Sequence, residues 1–352
     1  MSPSYATAEG TARFASRFPG HQANSFFRQA QGLTVSSLGM GSYLGQMDPA
    51  TDAAYEQSTR DAVGAGINFI DTSLNYRHQS SERNIGQALA ALFDSGQTRR
   101  EEIVVCTKAG FLVPNAIPSG TMASGDTVAR MHSMAPAFLA DQLERSRDNL
   151  RLQTVDVFYL HNPETQLGHV ARDVFDHRVG AAFETLEKLA SAGNIRFYGT
   201  ATWSGYRDQP PEQGLSLVRL ESLARDVAGA SHRFRFIQLP FNLAMPEAAA
   251  ARREVIDGRN LTILEAATEL GITVVASASL LQARLSRDLP ESVAERLPGA
   301  TTDAQRAIQF TRSAAGLAVA LVGMSSPAHV AENAAIASIR PADLSAWFPP
   351  NR

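Results

Sequence analysis

An α/β protein built as one closed (β/α)8 barrel is the fold this sequence predicts, and three observations carry the prediction. Eight short apolar runs recur along the chain, amphipathic stretches separate them, and most runs follow a glycine placed to close the preceding helix. Parallel strands need crossover helices, and closing the sheet removes the edges an open sheet would leave. The 352 residues, 44% hydrophobic and 19% charged, are enough to bury a core of that size.

Taken in order, the first strand is LTVSSLGMG, ending at Gly41. A helix from about Asp52 to Val63, with Ala54, Tyr55, Ala62 and Val63 on one face, leads to the second, INFID. EIVVCTK is the third, and VDVFYLH, behind a helix from Phe138 to Leu150, is the fourth. Phe183, Leu186 and Leu189 recur at threefold spacing in the helix before Gly193 and the fifth strand, IRFYGT. FRFIQLPFN is the sixth; GITVVASAS, after a helix ending at Leu270, is the seventh; GLAVALVGM is the eighth. Three long intervals without periodicity, 110–136, 203–232 and 280–301, each follow the C-terminal end of a strand, the face that carries the site in this architecture. With no repeat or linker-like block, the chain divides into a polar, solvated lead-in (1–26), the barrel (27–345) and a short tail (346–352).

Composition excludes several classes of partner. Lys+Arg 32 against Asp+Glu 35 gives a formal charge of -3, without the basic excess that nucleic acid or an anionic membrane demands. The lone cysteine, Cys106, rules out an intramolecular disulfide and a cysteine zinc site, and fits the cytoplasm. No apolar run approaches membrane-spanning length, and the first residues lack the hydrophobic segment of a secretory signal.

The chemistry begins where INFID ends, in Asp71. A carboxylate buried at a strand end is costly unless a cation pairs with it. IVVCTK ends in Lys108, so both side chains arrive at one barrel mouth, where VFYLH adds His161 and the loop beyond Asp71 adds Tyr76. A phenol of ordinary pKa about 10 is a poor acid near neutrality, and a close ammonium favours the phenolate and lowers that value. Asp71 orients Lys108, and His161 is placed to hold a carbonyl oxygen beside Tyr76.

Through INFIDTSLNY...SERNIGQAL, VVCTKAG, VDVFYLHNPE and VGMSSPAHVAEN, the chain resembles the aldo-keto reductase family from roughly Phe27 to Ile336. The resemblance implies a TIM barrel that binds an extended nicotinamide nucleotide without a Rossmann domain. It implies Tyr76 as the acid, Lys108 as its activator, Asp71 as the lysine's partner and His161 as the carbonyl-orienting group. It implies reduction of an aldehyde or ketone to an alcohol. It also places cofactor contacts at Gly41, Ser42, Thr202, Gln238, Ser277, Leu280, Gly323, Ser325, His329, Glu332 and Asn333. The sequence departs from the family at four of the positions that matter here. Ala201 precedes Thr202 in the carboxamide-binding pair, Ser277 stands where an aromatic stacks on the nicotinamide, and Gly323 and His329 stand where a lysine and an arginine clamp the adenosine 2′-phosphate. NADP(H) is the implied cofactor, with NAD(H) the alternative.

Other features have plainer readings. GMGSYLG (39–45) has the wrong spacing for a dinucleotide loop and opens no helix, so it reads as close chain approach, with Tyr43 as a pocket wall. Cys106 reads as core, His132 as a surface or packing residue with a substrate contact as the alternative, and Trp203 as a residue of the functional face. Two rival functions are a nucleotide-binding redox sensor or scaffold with little turnover, and a metal-dependent barrel hydrolase, for which no histidine pair at ligand spacing accompanies Asp71.

Overall fold

The computed structural model describes residues 3–117, 122–123, 125–207 and 214–348. Eight strands form one closed, all-parallel barrel: β1 (Leu38–Gly41), β2 (Phe69–Asp71), β3 (Val104–Ala109), β4 (Val155–His161), β5 (Ile195–Ala201), β6 (Phe234–Pro240), β7 (Thr273–Ser277) and β8 (Leu317–Gly323). Each neighbours the next in sequence, and β8 closes against β1 in the register Gly323 to Gly41. The crossovers are α1 (Pro49–Gly64), α2 (Ser80–Asp94), α3 (Pro136–Leu150), α4 (Arg172–Ser191), α5 (Leu217–Ala228), α6 (Ile263–Glu269) and α7 (Asp303–Ser313); α8 (Pro327–Ala334) follows β8.

The strands are buried on both faces, which is why they read as continuous apolar runs. Their period of two sorts the side chains. Phe69, Val104, Cys106, Val157, Tyr159, Phe236, Val275, Val319 and Leu321 fill the barrel interior. Ile70, Val105, Phe158, Leu160, Ile237 and Val274 face the helices. Continuing the inward rows by one step places Asp71, Lys108, His161 and Gln238 together as the uppermost interior layer.

Three sequence expectations are corrected. LTVSSLGMG divides at Ser37: Leu33–Ser36 pairs with Phe27–Ala30 in an antiparallel hairpin outside the barrel, and β1 starts at Leu38. The lead-in is not solvated. Helices Ala8–Ser16 and Pro19–Ala23 lie against the barrel, Phe14 and Ala6 are buried, and Ala6 N donates to Asp156 Oδ1 at 2.8 Å. Interval 203–232 contains α5, with Leu217, Leu220 and Ala224 buried. A hairpin, Arg252–Ile256 with Arg259–Thr262, precedes α6. Residues 118–121, 124 and 208–213 of the long intervals lie outside the described residues.

Candidate active site

Asp71 and Lys108 meet as the sequence requires: Lys108 Nζ donates to Asp71 Oδ1 at 2.5 Å and to the Thr72 carbonyl at 2.8 Å, in a position with no solvent exposure. An ammonium has three N–H groups, and the third is left for the Tyr76 phenol, whose ring centroid lies 4.9 Å from Nζ. The other Asp71 oxygen accepts from Gln238 Nε2 at 2.9 Å. Gln238 lines the cavity as expected of a cofactor contact, but its amide nitrogen serves the carboxylate. Burial lifts the Asp71 carboxyl above its ordinary value against the pull of Lys108 and Gln238. Burial also works to lower Lys108, but Asp71 and Tyr76 outweigh it and the ammonium is held above its ordinary value. With Nζ and Oδ1 2.5 Å apart, we assign the pair as ammonium and carboxylate at neutrality.

Tyr76 departs from expectation. Burial pushes the phenol above its ordinary value of 10.0; Lys108 pulls it down, Asp71 counteracts the lysine, and the balance is upward. The lysine therefore limits a cost of burial, and the phenol stays protonated at neutral pH. His161 sits beside it, ring centroids 5.9 Å apart and nearly perpendicular. Burial first, then Lys108 and His132, hold the imidazole well below 6.5, so it is neutral.

Several supports escaped the sequence reading. Arg77, His78 and Gln79 are three successive residues with φ of 48°, 49° and 76°, a left-handed run costing about 1–3 kcal/mol per residue. The Arg77 guanidinium holds it, donating to Asp52 at 2.7 Å, the Gln46 carbonyl at 2.9 Å and Asn84 at 3.0 Å. That clamp fixes the entry of Tyr76 into the site. Ser73 contacts His161 Nδ1 at 3.2 Å. His132 is buried as packing: it meets the His161 carbonyl at 2.7 Å and accepts from Gln166 at 3.0 Å. Glu164, in the HNPE stretch, accepts from the backbone N–H groups of Trp203, Ser204 and Gly205 at 2.9, 3.1 and 3.2 Å, setting the loop that carries Trp203.

A cavity of about 630 Å³ opens over this layer. Asp71, Tyr76 and His161 line it, as do Tyr43, Phe111 and Trp203 and all eleven residues from Gly41 to Asn333 named above as cofactor contacts. Two observations fit an extended nucleotide. Among the described residues the buried Thr202 hydroxyl beside the cavity has no hydrogen-bond partner, and a Cβ added at Gly323 meets none of their atoms within 4 Å, so the glycine faces open space. No lysine or arginine is among the described residues lining the cavity, and His329 and Glu332 are its ionisable groups at the α8 end.

Fold and site together define a closed parallel barrel with a Tyr–Lys–Asp–His cluster at the base of a cavity. Residues 37–208 match the model of the aldo/keto reductase family. The chain is similar to D-threo-aldose 1-dehydrogenase of Pseudomonas sp, 28% identical over 90% of this chain and 93% of that protein. It is 31% identical to L-galactose dehydrogenase of Arabidopsis thaliana over 48% of this chain, and spans only 45% of that relative's length. A solved aldo/keto reductase from Klebsiella pneumoniae, in complex with NADP and acetate, superimposes with a TM-score of 0.64 at 19% identity, covering 94% of this chain and 97% of that one.

Proposed function

We propose that this chain reduces an aldehyde or ketone to the alcohol with NAD(P)H, Tyr76 giving the proton. When bound, the nicotinamide supplies a hydride to the carbonyl carbon. The chain's own residues do the rest. The substrate oxygen lies between the Tyr76 hydroxyl and His161 Nε2, which has no hydrogen-bond partner among the described residues and faces the cavity. As negative charge grows on that oxygen, the Tyr76 proton moves to it, and the Lys108 ammonium stabilises the phenolate left behind. Asp71 keeps Lys108 charged and aimed. One observation carries the reading: a buried ammonium, paired to a carboxylate at 2.5 Å, lies against the face of Tyr76, which lines the cavity beside a neutral histidine.

Gly41, Ser42, Leu280, Gly323, Ser325, Glu332 and Asn333 would hold the nucleotide, with Thr202 and Ser277 toward its nicotinamide. NADP(H) is favoured over NAD(H), in keeping with the NADP held by the Klebsiella protein; Ser325, His329 and the first N–H groups of α8 are the groups to meet a 2′-phosphate. The substrate is a small carbonyl compound, consistent with the aldose named for the Pseudomonas relative. We place the protein in the cytoplasm, on the strength of its lone buried cysteine; no described helix is long and apolar enough to cross a membrane.

The test is steady-state oxidation of NADPH by a panel of small aldehydes. Tyr76→Phe is expected to lower kcat by about 10²–10⁴, the usual scale of general acid catalysis, while leaving NADPH fluorescence quenching intact. Undiminished turnover in that variant would remove the assignment. Nucleotide binding with no turnover on any carbonyl would favour the sensor or scaffold reading.

A further inference from the structure

The proposed function asks His161 to donate a hydrogen bond from Nε2, and a neutral imidazole does so only if its other nitrogen, Nδ1, carries no proton. What stands at Nδ1 decides this. Among the described residues its one partner is the Ser73 hydroxyl, at 3.2 Å, in a position with no solvent exposure. Ser73 Oγ also lies 2.6 Å from the Asn75 side-chain oxygen position and 3.2 Å from the Lys108 carbonyl.

A hydroxyl has one proton to give, and three neighbours surround this one. If the proton points at an Asn75 oxygen, Nδ1 has to carry the imidazole proton and donate to Ser73. Nε2 then offers a lone pair to the cavity, and a carbonyl oxygen meets only repulsion there. The alternative is open because the two ends of an asparagine amide are interchangeable by a half-turn. Among the described residues Asn75 makes no other side-chain hydrogen bond that would forbid the turn. With its NH2 group toward Ser73 it becomes the donor, and the Ser73 proton is released to Nδ1. The Lys108 carbonyl does not need that proton, since Leu74 N donates to it at 3.4 Å.

The ring itself is held. Phe111 packs edge-on to it at 5.0 Å and Tyr76 at 5.9 Å, and its backbone carbonyl meets His132 Nε2 at 2.7 Å. The imidazole therefore presents the same nitrogen to Ser73 and the same nitrogen to the cavity.

From these contacts we propose that Ser73, backed by Asn75, is a positioning residue that fixes His161 in the Nε2–H tautomer and so makes the cavity floor a hydrogen-bond donor to a carbonyl oxygen. The role rests on the reading of His161 given above. It consists of a chain of three donors in one direction: Asn75 to Ser73, Ser73 to His161, His161 to substrate.

The experiment is nitrogen NMR of the histidine-labelled full chain at neutral pH, with the His161 signals assigned by their loss in His161→Gln. The expected spectrum has Nε2 protonated and Nδ1 bare in the wild type, and a shift toward the Nδ1–H form in Ser73→Ala and in Asn75→Asp, where the carboxylate recaptures the serine proton. Both variants should lose roughly tenfold to a hundredfold in kcat/KM for the carbonyl, the scale of one buried hydrogen bond, with NADPH affinity unchanged. A wild-type Nδ1–H spectrum overturns the proposal, and so does a Ser73→Ala protein with unaltered tautomer and kcat/KM. Full turnover in His161→Gln would instead remove the carbonyl-holding role of His161, while the tautomer assignment is decided by the spectrum alone.

Discussion

Lys108 has two duties that a single substitution confounds. It is fully buried and neutralises Asp71, so Lys108→Met leaves a carboxylate beneath the cavity with only Gln238 to serve it. Removing one member of such a pair costs about 3–5 kcal/mol, whereas replacing both is often near neutral. Lys108→Met is therefore expected to lower the urea midpoint sharply and abolish reduction. Adding Asp71→Asn should recover most of the stability and none of the activity. Recovery of both, by denaturation and NADPH assay on the same preparations, would show the lysine to be structural only. The four residues of this cluster were legible in the sequence because three end barrel strands, where period-two alternation decides where a side chain points. Ser73, Arg77 and the service of Gln238 to Asp71 were not: each acts through a contact between loops or strands distant in sequence, and nothing local marks it.

At the scale of elements, the strands were read and several connections were missed. A strand buried on both faces shows as an apolar run; α5 is amphipathic as well, with Leu217, Leu220 and Ala224 at helical spacing on its buried side, so its signal was present in the sequence and was passed over. The hairpin before α6 is rich in charged residues, and its signal was the turn Asp257–Gly258, whose φ values of 51° and 75° suit an Asp-Gly pair. Helix packing also carries a test in which geometry outweighs propensity. Alanine in place of a helical glycine ordinarily stabilises by up to about 1 kcal/mol. At Gly86 in α2, however, a Cβ falls 2.3 Å from the Asn149 carbonyl oxygen and 2.8 Å from the Leu150 backbone, so α2 and α3 must separate. Gly86→Ala is expected to destabilise by about 1–3 kcal/mol. At Gly180 in α4 nothing lies within 4 Å, and Gly180→Ala should stabilise by up to about 1 kcal/mol. Matched thermal melts of the two variants give opposite signs if the close approach is real, and equal signs if it is not.

For the whole molecule, the barrel mouth depends on keeping imidazoles neutral. His132 ties the loop after β3 to the end of β4, and burial pushes its pKa down to about 4 from an ordinary 6.5. Below pH 6.5 the unfolded chain takes up a proton there that the folded chain refuses, so stability falls as pH drops from 6.5 toward 4. The difference corresponds to roughly 3 kcal/mol when the interval is fully traversed. His161, held low for the same first reason, acts in the same direction. Glu82 and Glu164, whose carboxyls burial pushes up, act in the opposite one, because the folded state then binds more protons than the unfolded. The His132 share is isolated by comparison with His132→Gln, whose amide donates toward the His161 carbonyl without titrating. Urea denaturation at pH 7 and again at pH 5 should show the wild type losing more stability than the variant between the two. Equal losses would mean that His132 is protonated in the fold, and that the support of the His161 backbone is ionic instead of neutral.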